Sequence, residues 1–195
     1  MLTPALLLQL DRLSSHGQKH DAVTLTRADK LLNITPDTGL MLYQWVRFGQ
    51  PAHIVELGTS NGYSTLWLAA AAQCYGGHVT SLDNLPAKTT SARHNLSEAG
   101  LQDSVTLITA DASAWLRQQE PASAQLVFLD ADRSRYVGDW PALADLLAPG
   151  GLIVVDNAVS HASECADFFA RVRATPGFVC ELLPIGNGEF IILKD

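Results

Sequence analysis

The sequence predicts an α/β fold: a doubly wound, mainly parallel sheet with helices on both faces, closed by an antiparallel hairpin at the carboxyl end. Three observations predict it. From His53 onward, short apolar runs alternate with helix-period patterns, the order that builds βαβ units. The first run breaks into a glycine turn, Glu56-Leu57-Gly58-Thr59-Ser60-Asn61-Gly62, where a strand hands over to a helix. The last two runs are joined through Gly186-Asn187-Gly188, a hairpin signal.

Thr3-Pro4 and Thr35-Pro36 each read as a helix cap followed by proline at the first helical position, predicting helices over 4–13 and 36–48 with a polar stretch between them. Strands are then expected at 54–57, 79–82, 105–108, 126–129 and 152–155. Helices are expected over 62–75, from Pro86, near 112–119, over 136–147 and near 162–174, and the closing strands over 178–184 and 189–193. No repeat, low-complexity tract or linker interrupts this order. At 195 residues the chain suits one domain with one buried core: residues 1–50 supply amino-terminal helices and a candidate lid, and 51–195 a cofactor-binding core.

Composition narrows the partners. A net charge of -7, with 13 basic residues scattered among 20 acidic ones, gives no footprint for a phosphate backbone, so nucleic acid is not expected. Cys74, Cys165 and Cys180 are odd in number and widely spaced, which suggests neither a disulfide framework nor a zinc site and fits a reducing cytoplasm. They are expected to be small buried hydrophobes. The amino-terminal apolar stretch is too short, and lacks the basic lead, for a signal peptide. No apolar run approaches the roughly twenty residues of a membrane span.

In a doubly wound sheet, ligands sit at the carboxyl ends of the strands. Those ends are acidic here: Glu56, Asp83, Asp111, Asp130 and Asp156. An acid after each of five strands gathers negative charge on one rim, which favours a cation, either a metal or a sulfonium. Gly58 and Gly62 are four apart with Ser60 between them, so the middle glycine of a dinucleotide fingerprint is missing and a pyrophosphate is disfavoured. Asp83, 25 residues beyond Gly58, suits both hydroxyls of a ribose or a plain helix cap. Asp111-Ala112-Ser113 suits either an adenine border or, through Asp111, a cap for the next helix. Asp130 and Asp156-Asn157 end two neighbouring strands. Three oxygen donors without His or Cys suit a hard cation such as Mg²⁺, Mn²⁺ or Ca²⁺.

Glu56-Leu57-Gly58-x-Ser60-x-Gly62 resembles the first motif of the class I S-adenosylmethionine-dependent methyltransferases. With Val127-Phe128-Leu129-Asp130 and Gly150-Gly151-Leu152-Ile153-Val154-Val155-Asp156-Asn157, the likeness narrows to the catechol and caffeoyl-coenzyme A O-methyltransferase family, from about Ile34 to Lys194. The resemblance implies a Rossmann-like seven-stranded sheet. It implies S-adenosylmethionine held among Glu56, Gly58, Ser60, Gly62, Ser64, Asp83, Asp111, Ala112, Ser113 and Asp130, and a divalent cation on Asp130, Asp156 and Asn157. It further implies a small vicinal dihydroxy acceptor and a homodimer formed through the amino-terminal helices. Asp130 and Arg133 are then the candidate catalytic residues.

Arg133 departs from the family, which carries lysine three residues after the first metal aspartate. An arginine stays protonated and is no general base, leaving two readings: it stabilises a phenolate, or it pairs with Asp132. The segment after Asn157 is also shorter than in the plant enzymes. His161 suits either an acceptor-side base or a solvated helix start. Trp45, Trp67, Trp115 and Trp140 fall at helical positions and are expected in the core or an interface. His16, Lys19 and His20 are expected in a loop that either covers the site or stays mobile. Two rival functions are a non-catalytic S-adenosylmethionine-binding regulatory or partner protein and a nicotinamide-dependent oxidoreductase. The latter is disfavoured by Ser60 and by the hairpin.

Overall fold

The computed structural model describes all 195 residues. Seven strands form one sheet in the order β3-β2-β1-β4-β5-β7-β6: β1 (His53–Leu57), β2 (His78–Asp83), β3 (Val105–Thr109), β4 (Ala124–Leu129), β5 (Leu147–Val155), β6 (Phe178–Leu183) and β7 (Glu189–Lys194). β1 to β5 pair in parallel, while β7 runs antiparallel to both β5 and β6. This is the predicted parallel sheet with its closing hairpin.

Period-2 alternation sorts the strand residues between two cores. Ile54, Leu126, Phe128 and Val154 face one side of the sheet with α1 (Pro4–Val23), α2 (Pro36–Gly49) and α3 (Tyr63–Ala72). Val55, Val127, Leu129 and Val155 face the other, with α6 (Tyr136–Leu146) and α7 (Ala162–Arg173). α4 (Pro86–Glu98) and α5 (Ala112–Leu116) complete the crossovers. α3 is buried all round, which its run of small alanines permits where it lies between the sheet, α1, α2 and α4.

The structure corrects several boundaries. α1 does not stop at 13 but runs through the polar stretch to Val23, because its buried stripe Leu6, Leu10, Leu13, Ser14 and Gly17 keeps helical spacing. A Cβ on Gly17 would lie 2.5 Å from Asn33 Nδ2, so the glycine is kept by close packing, which overrides its poor helix propensity. His16, Lys19 and His20 therefore lie on a helix, not in a loop. β5 begins at Leu147, five residues before the expected start, and α5 ends at Leu116. Of the cysteines, Cys165 is buried and Cys180 half-buried, but Cys74 is exposed in the turn that follows α3. Trp67 and Trp140 lie in the two cores, with Trp45 and Trp115 packed against them. No helix is long and apolar enough to cross a membrane.

Candidate active site

The carboxyl ends of β1, β2 and β4 open into a cleft of about 900 Å³, roofed by residues 27–33 between α1 and α2. That roof is tied down at several points. The Asp21 carboxylate accepts the Leu31 and Leu32 amides at 2.7 and 2.8 Å. Ser60 Oγ donates to the Leu31 carbonyl at 2.6 Å, and Lys88 Nζ donates to the Lys30 carbonyl and, at 3.2 Å, to Ser60 Oγ.

Below the cleft, β1 points Glu56 toward α3, where it is fully buried. It accepts hydroxyl bonds of 2.5 Å from each of Ser64, Thr65 and Ser81. Burial pushes the Glu56 carboxyl up to about 7, against the pull of those three hydroxyls. Glu56 and Ser64 thus brace the floor and do not line the cleft. Gly58, with φ of 108°, passes so close to β4 that a Cβ there would stand 2.0 Å from the Asp130 carbonyl oxygen. Gly62 also has a positive φ, and its missing side chain makes room for Ala92 of α4; it too stays outside the cleft.

On the side of β2, the Asp83 carboxylate accepts the Ser60 amide at 2.9 Å and the Leu85 amide at 3.0 Å. It lines the cleft together with Ser60, Asp111 and Ala112. Asp111 caps α5 by accepting the Ala114 amide at 2.8 Å, and it pairs with Arg135 at 2.5 Å. Ser113 is buried outside the cleft lining and donates at 2.7 Å to Asp139, which does line it.

At the opposite end, Asp130, Asp156 and Asn157 come together. Asn157, in the left-handed region at φ of 65°, donates Nδ2 to Asp156 Oδ2 at 2.7 Å and to Asp130 Oδ1 at 3.3 Å. Burial and the neighbouring Asp156 and Glu56 push Asp130 well up, against Arg133. Asp130 and Asn157 line the cleft, while Asp156 lies behind them, 2 % exposed. Its Oδ1 has no hydrogen-bond partner. The equally unpartnered Oε2 of Glu189 stands against it, so the two carboxyls can share a proton, while Asp130, Asp156 and the Asn157 amide oxygen together offer oxygen donors that fit a small hard cation. No three His, Cys, Asp or Glu side chains converge in a metal-holding group, so the candidate set is two aspartates and an asparagine.

Sequence reasoning missed three neighbours. Glu189, the first residue of β7, is fully buried and accepts the Thr38 hydroxyl at 2.7 Å. Burial, followed by the adjacent Asp156, pushes its carboxyl well above the usual carboxylate range. Its signal was parity: Glu189 shares the face of Ile191, which packs into the core. The second neighbour is Glu164 of α7, whose Oε2 accepts Arg133 Nε at 2.9 Å. Arg133 is therefore paired with Glu164 and not with Asp132, which instead accepts the amide and hydroxyl of Ser134. Lys88, which ties the roof to Ser60, is the third.

The strand order, the glycine turn and the acidic cleft define a class I methyltransferase fold. A family model described as a methyltransferase domain matches residues 55–158. A catechol O-methyltransferase of Niastella koreensis is 33% identical over 131 residues, which cover 66% of this chain and 59% of that protein. One of Mycobacterium tuberculosis is 36% identical over 110 residues, covering 56% and 50%. The matches thus span little more than half the length of these relatives. The solved structure of an O-methyltransferase from Bacillus cereus in complex with SAH superposes over 100% of this chain and 92% of its own with a TM-score of 0.79 at 24% identity, a likeness of fold. The chain belongs to the S-adenosylmethionine-dependent O-methyltransferase family.

Proposed function

We propose that the protein transfers the methyl group of S-adenosylmethionine to a hydroxyl oxygen of a small, vicinal dihydroxy acceptor with the help of a divalent cation. The observation that carries this reading is the convergence of Asp130, Asp156 and Asn157 at one end of the cleft whose other end holds Ser60 and Asp83.

In this reading Asp83 accepts the ribose hydroxyls, Ala112 borders the adenine, and the backbone of the Gly58–Ser60 turn lies along the amino-acid end of the cofactor. Glu56 and Ser64 hold that turn from below, as Gly62 and Ser113 hold their helices. Asp130, Asp156 and Asn157 would hold the cation, which when bound supplies a positive charge that favours the ionised acceptor oxygen. Arg133, fixed by Glu164 and 6 % exposed, adds a permanent positive charge on the acceptor side and does not accept a proton. The enclosed cleft aligns acceptor oxygen and methyl group, so orientation and charge carry the rate. The same reading includes a homodimer formed through the amino-terminal helices, which expose Leu8 of α1 and Phe48 of α2.

Calorimetry with S-adenosylmethionine and its demethylated product tests the cofactor, and mass spectrometry of catechol reactions with Mg²⁺ or with chelator tests the rest. Methylated catechol that appears only with the metal is the expected result. Full activity in chelator would remove the cation from the mechanism.

A further inference from the structure

We propose that the acceptor carries a carboxylate besides its two hydroxyls, and that Arg133 and Arg27 recognise it at the end of the cleft that holds Asp130 and Asn157. The inference rests on the dihydroxy-acceptor reading above and narrows it to one substrate class, the dihydroxy aromatic acids.

Five lysines and arginines line the cleft: Arg27, Lys30, Lys88, Arg133 and Arg135. Lys88 is engaged with the roof, donating to the Lys30 carbonyl and to Ser60 Oγ, so it and Lys30 belong to the Ser60 end. Arg135 is paired with Asp111. The other two stand at the opposite end. Arg133 is close enough to Asp130 and Asp156 for its charge to act on both carboxyls. Glu164 is held below the usual carboxylate range by its hydrogen bond from Arg133 and, more weakly, by the charge of Arg27. The two guanidinium groups therefore flank one carboxylate, one from below the cleft mouth and one from its roof.

Their bonding points to an anion. The Arg133 side chain is 5 % exposed, and only its Nε is answered within the chain, by Glu164 Oε2 at 2.9 Å. Its two terminal nitrogens meet no protein acceptor, yet neither is closed off from solvent. Buried donors are ordinarily satisfied. The free edge formed by Nη1 and Nη2 is a planar fork that receives both oxygens of one carboxylate. Arg27 is exposed, and the three ion pairs of the chain, Arg12–Glu98, Arg133–Glu164 and Arg135–Asp111, leave it unpaired. It stands on the single 3₁₀ turn Arg27–Asp29, just ahead of the residues that Asp21 fastens.

Charge selects among anions. Against Glu164 the two arginines leave one positive charge, and Asp132 is turned to the amide and hydroxyl of Ser134. His161 lines the same end, with Nδ1 2.9 Å from Ser160 Oγ. One carboxylate matches both that single charge and the flat two-nitrogen edge, whereas a phosphate dianion exceeds the charge.

The test compares 3,4-dihydroxybenzoate and 3-(3,4-dihydroxyphenyl)propanoate with their neutral amides and with catechol, on the full-length protein with Mg²⁺. Calorimetry in the presence of S-adenosylhomocysteine reads affinity without turnover, and initial rates with S-adenosylmethionine separate KM from kcat. At least one acid is expected to bind about tenfold or more tighter than its amide, the scale of a charge-assisted bidentate pair, with the advantage seen in KM and not in kcat. Arg27→Gln should lower this acid-to-amide ratio about two- to fivefold, as suits an exposed charge, and Arg27→Lys should restore it. Arg133→Lys, which keeps the charge and loses the fork, should lower the ratio about tenfold whatever it does to kcat. A wild type that binds and methylates catechol and the amides with no preference for the acids would overturn the assignment while leaving O-methylation standing. So would a preference for the acids that survives both Arg27→Gln and Arg133→Lys undiminished. A wild type that binds none of these compounds would overturn the dihydroxy-acceptor reading and this substrate class with it.

Discussion

Asp83 is the residue on which cofactor recognition is expected to turn. Its carboxylate already holds the Ser60 and Leu85 amides at 2.9 and 3.0 Å, which leaves lone pairs for ribose hydroxyls. Asp83→Ala is predicted to weaken S-adenosylmethionine binding by about 1.5–3 kcal/mol, the scale of hydrogen bonds to a charged group. Calorimetry showing unchanged affinity in the folded variant would take Asp83 out of the site. Glu56 makes a different prediction, because its burial shows in the pH dependence of stability. Its folded carboxyl titrates near 7 instead of 4.5, so the folded chain binds more protons than the unfolded one between those values. That contribution is present at low pH and is lost as pH rises through the window, on the order of 3 kcal/mol. Glu56→Gln, which carries no proton to lose, should therefore gain stability relative to wild type between pH 4.5 and 7. Parallel urea midpoints for the two proteins across that range would disprove the prediction.

The element whose behaviour is least obvious is α1 with the roof that follows it. Gly17 lies in the middle of a helix, where alanine is ordinarily better by about 0.5–1 kcal/mol. Here the added methyl would meet Asn33, whose Nδ2 donates to the Leu13 carbonyl at 3.1 Å. Gly17→Ala alone is thus predicted to destabilise and to speed proteolysis of residues 24–33. Gly17→Ala made in an Asn33→Ala background should recover the helical gain. A double-mutant cycle of thermal midpoints reads this directly, and purely additive effects would show that the contact does not couple α1 to the roof. Because the roof lines the cleft and bonds Ser60, loosening it is also expected to raise the KM for the cofactor.

Across the whole molecule, the apolar surface left in water includes Leu8 at 72 % and Phe48 at 93 % exposure. An aromatic ring that exposed at the end of α2 finds no partner within the chain, which agrees with the proposed homodimer. Sedimentation velocity is expected to show a dimer for wild type and a monomer for Phe48→Glu combined with Leu8→Glu. A monomeric wild type at assay concentrations would end that reading.

The sequence alone determined the sheet. Strand and helix periods differ, and the apolar runs at Ile54–Leu57, 79–82 and 126–129 carry period and length together, so their order dictates parallel crossovers and puts Asp83 and Asp130 at strand ends. The glycine turn was legible because Gly58 and Gly62 supply the positive φ that few other residues adopt, whereas the same conformation at Ser60 showed only in the structure. Only tertiary structure decided which of these residues face the cleft. Glu56 and Ser64 belong to the same motif as Ser60, yet packing of α3 on the sheet turns them into the floor. Arg133 found Glu164, 31 residues away, and Asp156 found Glu189, 33 positions on in sequence. Such pairings between distant segments leave no local pattern. They arise because a buried charge or carboxyl must find a partner, and the fold determines which one lies within reach.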